Sequence, residues 1–193
     1  MDLKTHEKSV SHNGFTLLEM VVSVSIGLLL TGWVIANYNS HNDVQTLKQA
    51  GLTLKNNLRF AQTKALSGEK PTPTPPTPNP TPTPICTQLA GYTVTFCTAL
   101  NHPQPICSSY TASQQSYVIQ AFCSPEGALG MITATSLPTG VTFDSSTPQS
   151  FVFKVLAQGT SLAVTTPLTL DGFGKQYVVS VNADGSIDDK GLQ

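Results

Sequence analysis

Residues 14–36 read GFTLLEMVVSVSIGLLLTGWVIA, and the chain changes character across them. Residues 1–14 are polar. Beyond them, Glu19 is the only formally charged side chain as far as residue 42. The uncharged, largely apolar part, residues 20–36, is at the short end for a membrane-spanning helix. With residues 15–19 included it reaches about 33 Å at the α-helical rise. Three readings fit. One is a plain membrane anchor. Another is a secretory signal peptide, cut after Val34-Ile35-Ala36. The third turns on the junction itself, where Gly14 stands at the polar/apolar boundary and Glu19 lies just inside the apolar stretch. An anchor has no use for that carboxylate, which costs about 2.5–3.5 kcal/mol at a helix centre and less near an interface. With no cation nearby in its own chain, Glu19 points to a partner supplied from outside.

Gly14-Phe15-Thr16-Leu17-Leu18-Glu19 followed by an apolar run resembles the class III leader of type IV pilins and type II secretion pseudopilins. The resemblance implies that a membrane aspartyl prepilin peptidase cuts between Gly14 and Phe15 and methylates the new amine of Phe15. It also implies that Glu19 pairs with the α-amine of Phe15 in a neighbouring subunit. Such an ion pair lowers the cost of a carboxylate in lipid. The implied partners are the peptidase, other pilin or pseudopilin subunits, an inner-membrane assembly platform and the lipid bilayer. The implied location is a single pass through the cytoplasmic membrane with the C-terminal domain outside the cytoplasm, then a periplasmic or extracellular filament. Basic residues do not orient the segment, since Lys4 and Lys8 precede it while Lys48, Lys55, Arg59 and Lys64 follow.

Past the apolar run, Val44, Leu47, Gly51, Leu54, Leu58, Ala61 and Ala65 recur at spacings of three and four, a seam of helical period. Gly68 and Pro71 are stop signals. The reading is one helix over residues 15–67, its first part (15–37) in membrane or filament core and its amphipathic part (38–68) packed under a β-sheet of the same chain. Gly27 and Gly32 lie in the first part, which lacks the proline of many pilins. Residues 56–66 resemble the helix end of the GspH/FimT group of minor pilins and pseudopilins.

The whole chain has 193 residues and a net charge of −1. Charged residues are only 11%, against about 25% in a typical soluble domain. Thr, Ser, Asn and Gln therefore solubilise it, as in exported proteins. Eight of the fourteen prolines fall within residues 71–84, PTPTPPTPNPTPTP. That tract excludes helix and central strand and suggests a polyproline II spacer of about 43 Å. Thr72, Thr74, Thr77, Thr81 and Thr83 make it a candidate O-glycosylation stalk.

Residues 85–193 show no helical pattern. Candidate strands are 92–98, 116–123, 131–135, 141–144, 151–157, 168–171 and 176–182. The fold class is α+β, a long N-terminal helix packed on an antiparallel β-sheet domain. The run 151–189 resembles the C-terminal half of the GspH/FimT domain. The four cysteines, Cys86, Cys97, Cys107 and Cys123, contain no C-x-x-C pair and indicate an oxidising compartment. A Cys/His metal site with His102 is the other reading, though its spacings do not suit structural zinc. Pairing strand 92–97 antiparallel to 117–123 puts Cys97 at the loop end and Cys123 at the open end, where Cys86 enters. The expected disulfides are Cys97–Cys107 and Cys86–Cys123, one of three possible connectivities.

No nucleophile, zinc or phosphate-loop motif occurs, so no enzyme and no cofactor is expected. Asn182, Asp184, Asp188 and Asp189 could supply oxygens to calcium. The alternative is a turn at residues 183–186 followed by a solvated acidic tail. Three lysines (Lys154, Lys175, Lys190) face six acids (Glu126, Asp144, Asp171, Asp184, Asp188, Asp189) in residues 85–193, a net charge of −3. This gives no reason to expect nucleic acid as a partner. The expected function is a structural minor pilin or pseudopilin subunit. The alternatives are a DNA-capturing FimT-like minor pilin and a membrane-anchored surface module that never polymerises.

Overall fold

The computed structural model describes residues 15–71, 86–98, 105–107, 114–156 and 159–193; side chains 34–40, 105, 131 and 132 are outside the description. The chain divides into two units, Met1–His41 and Asn42–Gln193. Helix α1 runs from Leu17 to Ser67.

In the first unit, Thr16 caps the helix, its Oγ1 accepting from the Glu19 N–H at 3.2 Å. Ser23, Ser25 and Thr31 donate their hydroxyls to the carbonyls four residues back. Their polarity is thereby absorbed by the helix itself, as an apolar surrounding requires.

In the second unit, the helical seam is the centre of the fold. Leu47, Leu54, Leu58 and Ala61 are fully buried, Ala65 and Gly51 are buried, and Val44 is half-buried. The helix ends at Gly68, whose φ of 62° is a left-handed value that glycine adopts without strain. Its N–H donates to the Ala65 carbonyl at 3.2 Å.

Two four-stranded antiparallel sheets pack on this seam. The first has the order β3-β2-β1-β5, from β1 (Gln88–Cys97), β2 (Ser116–Ser124), β3 (Gly127–Ser136) and β5 (Ser150–Lys154). The second has the order β4-β6-β7-β8, from β4 (Val141–Phe143), β6 (Thr166–Gly172), β7 (Lys175–Val181) and β8 (Ile187–Leu192). Alternation explains the inward faces. Tyr92, Val94 and Phe96 of β1, Leu168 and Leu170 of β6, and Tyr177, Val179 and Val181 of β7 are all buried. Phe96 meets Phe143 edge-on at 5.0 Å and lies 6.1 Å from Phe151, so β4 and β5 join the same core.

Two strand expectations need correction. Residues 187–192 are not a solvated tail but β8, held to β7 by the pairs Val181↔Ile187 through Tyr177↔Leu192. The strand expected over 151–157 ends at Lys154, because Leu156 turns into the left-handed region at φ 55° and its N–H reaches the Ala65 carbonyl at 3.4 Å. Ala157 lies outside the described residues.

The Pro/Thr tract, residues 72–84, also lies outside them. Its flanks meet directly. Lys70 Nζ donates to the Thr87 carbonyl at 2.7 Å, and the Tyr92 hydroxyl donates to the Glu69 carbonyl. The end of α1 and the start of β1 are thus joined by contacts of their own.

Candidate functional site

The described N-terminal turns present a largely apolar surface. Phe15 is 75% exposed and Leu17 83%, and Leu18, Met20, Val21, Val24, Leu28, Leu29 and Trp33 are exposed on every side of the helix. Helices apolar all round belong in lipid or in a larger core. Glu19 is exposed within this surface, in the first turn. Thr16 and Glu19 stand in the T-x-x-E spacing of a capping box. In the sequence, this spacing is the one signal that marks Thr16 as the cap. Gly14, the expected cleavage position, lies outside the described residues. Among the described residues, no helix is long and apolar enough to cross a membrane.

In the second unit, one constellation ties α1 to the second sheet. The Tyr177 ring lies against Gly51, where an added Cβ would overlap it. One turn on, Lys55 Nζ donates to Asp189 Oδ2 at 2.7 Å, and the Tyr177 hydroxyl donates to the same oxygen at 3.1 Å. Burial, and then the bond to and charge of Asp189, push the Tyr177 hydroxyl up to about 12. The Lys55 bond holds the Asp189 carboxyl below its ordinary value. Further along, Gln62 donates to the Gly185 carbonyl at 2.9 Å. Toward the first sheet, Asn57 Nδ2 donates to the Tyr117 hydroxyl at 2.7 Å and to Thr135 Oγ1 at 3.2 Å. Beside this contact, an open cavity of about 230 Å³ is walled by Thr46, Gln49, Thr53, Tyr117, Thr135 and Leu137 among others. Among the described residues, no charged side chain lines it.

The four candidate calcium residues are occupied by protein donors. Asn182 Nδ2 donates to Asp188 Oδ2 at 3.0 Å, and Asn182 Oδ1 accepts from the Thr165 hydroxyl at 2.6 Å. Asp184 Oδ1 accepts from the Ser186 N–H at 2.9 Å and from its hydroxyl at 2.8 Å, which holds its carboxyl low. Asp189 is bound to Lys55 and Tyr177. Asp188 and Asp189, being consecutive in β8, project to opposite faces. Among the described residues, no three His, Cys, Asp or Glu side chains are grouped to hold a metal ion.

The structure joins Cys86 to Cys123 with a Cα–Cα distance of 5.5 Å, and Cys97 to Cys107 at 5.4 Å. The register Cys97↔Ser116 and Leu89↔Cys123 in the β1/β2 pair sets the two bonds at opposite ends of the hairpin. His102 and the threonines of the Pro/Thr tract (72, 74, 77, 81 and 83) lie outside the described residues.

Residues 11–35 match the family model of the prokaryotic N-terminal methylation motif. The chain opens with a class III prepilin leader. Such a leader belongs to pilin-like subunits that a prepilin peptidase processes and that assemble with other pilins, and it points to a structural subunit with a membrane-anchored N-terminus. No curated protein and no solved structure matches the chain. The matched residues 11–35 take in the exposed apolar turns and Glu19.

Proposed function

We propose that the chain is a structural minor pilin or pseudopilin subunit of the GspH/FimT kind, cut between Gly14 and Phe15 and assembled into a type IV pilus or a type II secretion pseudopilus. The observation that carries this reading is the leader match over residues 11–35, with Glu19 set in a helix that is apolar on every exposed side. Residues 15–37 would anchor the subunit in the cytoplasmic membrane and later pass into the filament core. The amine of Phe15 in one subunit would then neutralise Glu19 of another, since an unpaired carboxylate is costly in an apolar core. The α+β unit that follows, oxidised at two disulfides, suits display outside the cytoplasm. Its excess of acids disfavours DNA capture, and the Pro/Thr tract remains a candidate carrier of glycans.

The test is the mass of the N-terminal peptide from the membrane fraction and from sheared filaments. A start at Phe15, with or without one methyl, in the filament fraction supports the proposal. A start at Asn37 would mean a conventional signal peptide. An intact Met1 confined to membranes would mean a permanent anchor.

A further inference from the structure

The two disulfides are nested. Cys97–Cys107, with a sequence separation of 10, lies wholly inside Cys86–Cys123, with a separation of 37. The outer bond therefore joins the first cysteine of the chain to the last, and the inner bond joins the two between them. An unfolded chain does not favour this pattern, because the entropic cost of closing a loop rises with its length. Cys86 and Cys97 are eleven residues apart, next to the ten of the native inner pair, so these two bonds close at almost equal cost. The native outer pair closes the longest loop that the four cysteines allow. Export with the N-terminus held in the membrane, as under the proposed function, adds to the bias, since Cys86 and Cys97 then reach the oxidising side before Cys107.

Formation of Cys86–Cys97 leaves Cys107 and Cys123 with only each other. The product then has two bonds, neither of them native, and no thiol of its own to correct them. It is also incompatible with the fold. β1 begins two residues after Cys86 and ends at Cys97, so it sets these cysteines about 30 Å apart. A disulfide needs Cα atoms within about 4.4–6.8 Å. β1 lies between β2 and β5 and supplies Tyr92, Val94 and Phe96 to the core. The misbridged chain therefore lacks the middle of its first sheet.

We propose that this chain is the substrate of a thiol–disulfide isomerase acting after a disulfide oxidase. The oxidase takes two electrons and two protons for each bond formed. The isomerase then exchanges bonds with no net oxidation. Its thiolate attacks Cys97 Sγ, breaks Cys86–Cys97 and forms a mixed disulfide with Cys97, releasing the Cys86 thiolate. That thiolate attacks Cys123 Sγ, forms Cys86–Cys123 and releases the Cys107 thiolate. The Cys107 thiolate attacks Cys97 Sγ, forms Cys97–Cys107 and returns the isomerase thiolate. Folding ends the exchange, because Cys86, Cys97, Cys107 and Cys123 are all buried in the fold and shielded from a further thiolate.

The test starts from the full chain, reduced and unfolded, then moved into detergent micelles and oxidised with diamide, which leaves no thiol behind to catalyse exchange. The diamide is removed, and a reduced dithiol isomerase is added to half of the sample in catalytic amount. Acid quenching and mass mapping of cleaved peptides identify the bonds. The expected early products are Cys86–Cys97 and Cys97–Cys107 in roughly equal amounts. Without isomerase the Cys86–Cys97/Cys107–Cys123 form persists; with it, that form is lost and the native pairs replace it. The double variants Cys97→Ser with Cys107→Ser, and Cys86→Ser with Cys123→Ser, each leave a single pair, so each should oxidise to one product that the isomerase does not alter. Native pairing of the intact chain that is as complete without isomerase as with it would overturn the proposal. So would a misbridged form that the isomerase leaves unchanged. Neither outcome touches the filament reading, because this refolding involves no export.

Discussion

Gly51 and Tyr177 show how one missing methyl group positions a helix on a sheet. Because a Cβ at position 51 would occupy the space of the Tyr177 ring, Gly51→Ala must push α1 and β7 apart. We expect a loss of about 1–3 kcal/mol, the usual cost of overpacking, read from denaturant unfolding. The same tyrosine and Asp189 give stability two pH limits. The Asp189 carboxyl is held low in the folded chain by Lys55, so its contribution is present above the ordinary aspartate range and fades as pH falls through the folded-state value. The Tyr177 phenol is raised to about 12, so its contribution is complete below its ordinary value of about 10 and fades as pH rises from there towards 12. Asp189→Asn should flatten the acid limb and let Tyr177 ionise at lower pH. Unfolding midpoints across pH, together with a tyrosine titration, check both effects.

Among the elements, the two disulfides close loops of different length, with sequence separations of 37 and 10. Chain entropy assigns about 3.8 kcal/mol to Cys86–Cys123 and about 2.7 kcal/mol to Cys97–Cys107. The double Cys→Ser variant of the first pair should therefore unfold at lower denaturant than that of the second. Replacing residues 72–85 by a short Gly/Ser linker should leave stability within about 1 kcal/mol, because the Lys70–Thr87 and Tyr92–Glu69 contacts already join the flanking elements and loop entropy grows only slowly with length. A melt of the linker variant checks this. Much of the element level could be read from sequence. The seam from Leu47 to Ala65 was legible because burial on one helical face leaves a 3.6-residue period. Strands β1, β2, β6 and β7 were legible because each sets apolar core residues at alternate positions, as Tyr92, Val94 and Phe96 do in β1. β8 was not, since the outward side chains of Ile187–Leu192 are those of a charged edge and carry no apolar alternation. The division into two sheets was hidden too, since sheet membership depends on which distant strands pair. At the candidate site, Glu19 stood out as a lone charge in an apolar run. The partnership of Lys55 with Asp189 could not, being a contact across 134 residues.

At the scale of the molecule, the fold and the leader are separable. Among the described residues, none before Leu47 belongs to the hydrophobic core. Glu19→Ala should therefore leave the melting of the Asn42–Gln193 unit unchanged while abolishing incorporation into filaments, a pairing that melting curves and shearing assays of one variant can test. The Cys86–Cys123 bond has a mechanical consequence as well. The backbone between those two cysteines could extend to about 130 Å if it were free. Once oxidised it can contribute none of that length. Were β1 and β2 to part under tension, the oxidised unit would still hold Cys86 and Cys123 together, whereas the reduced one would lengthen between them.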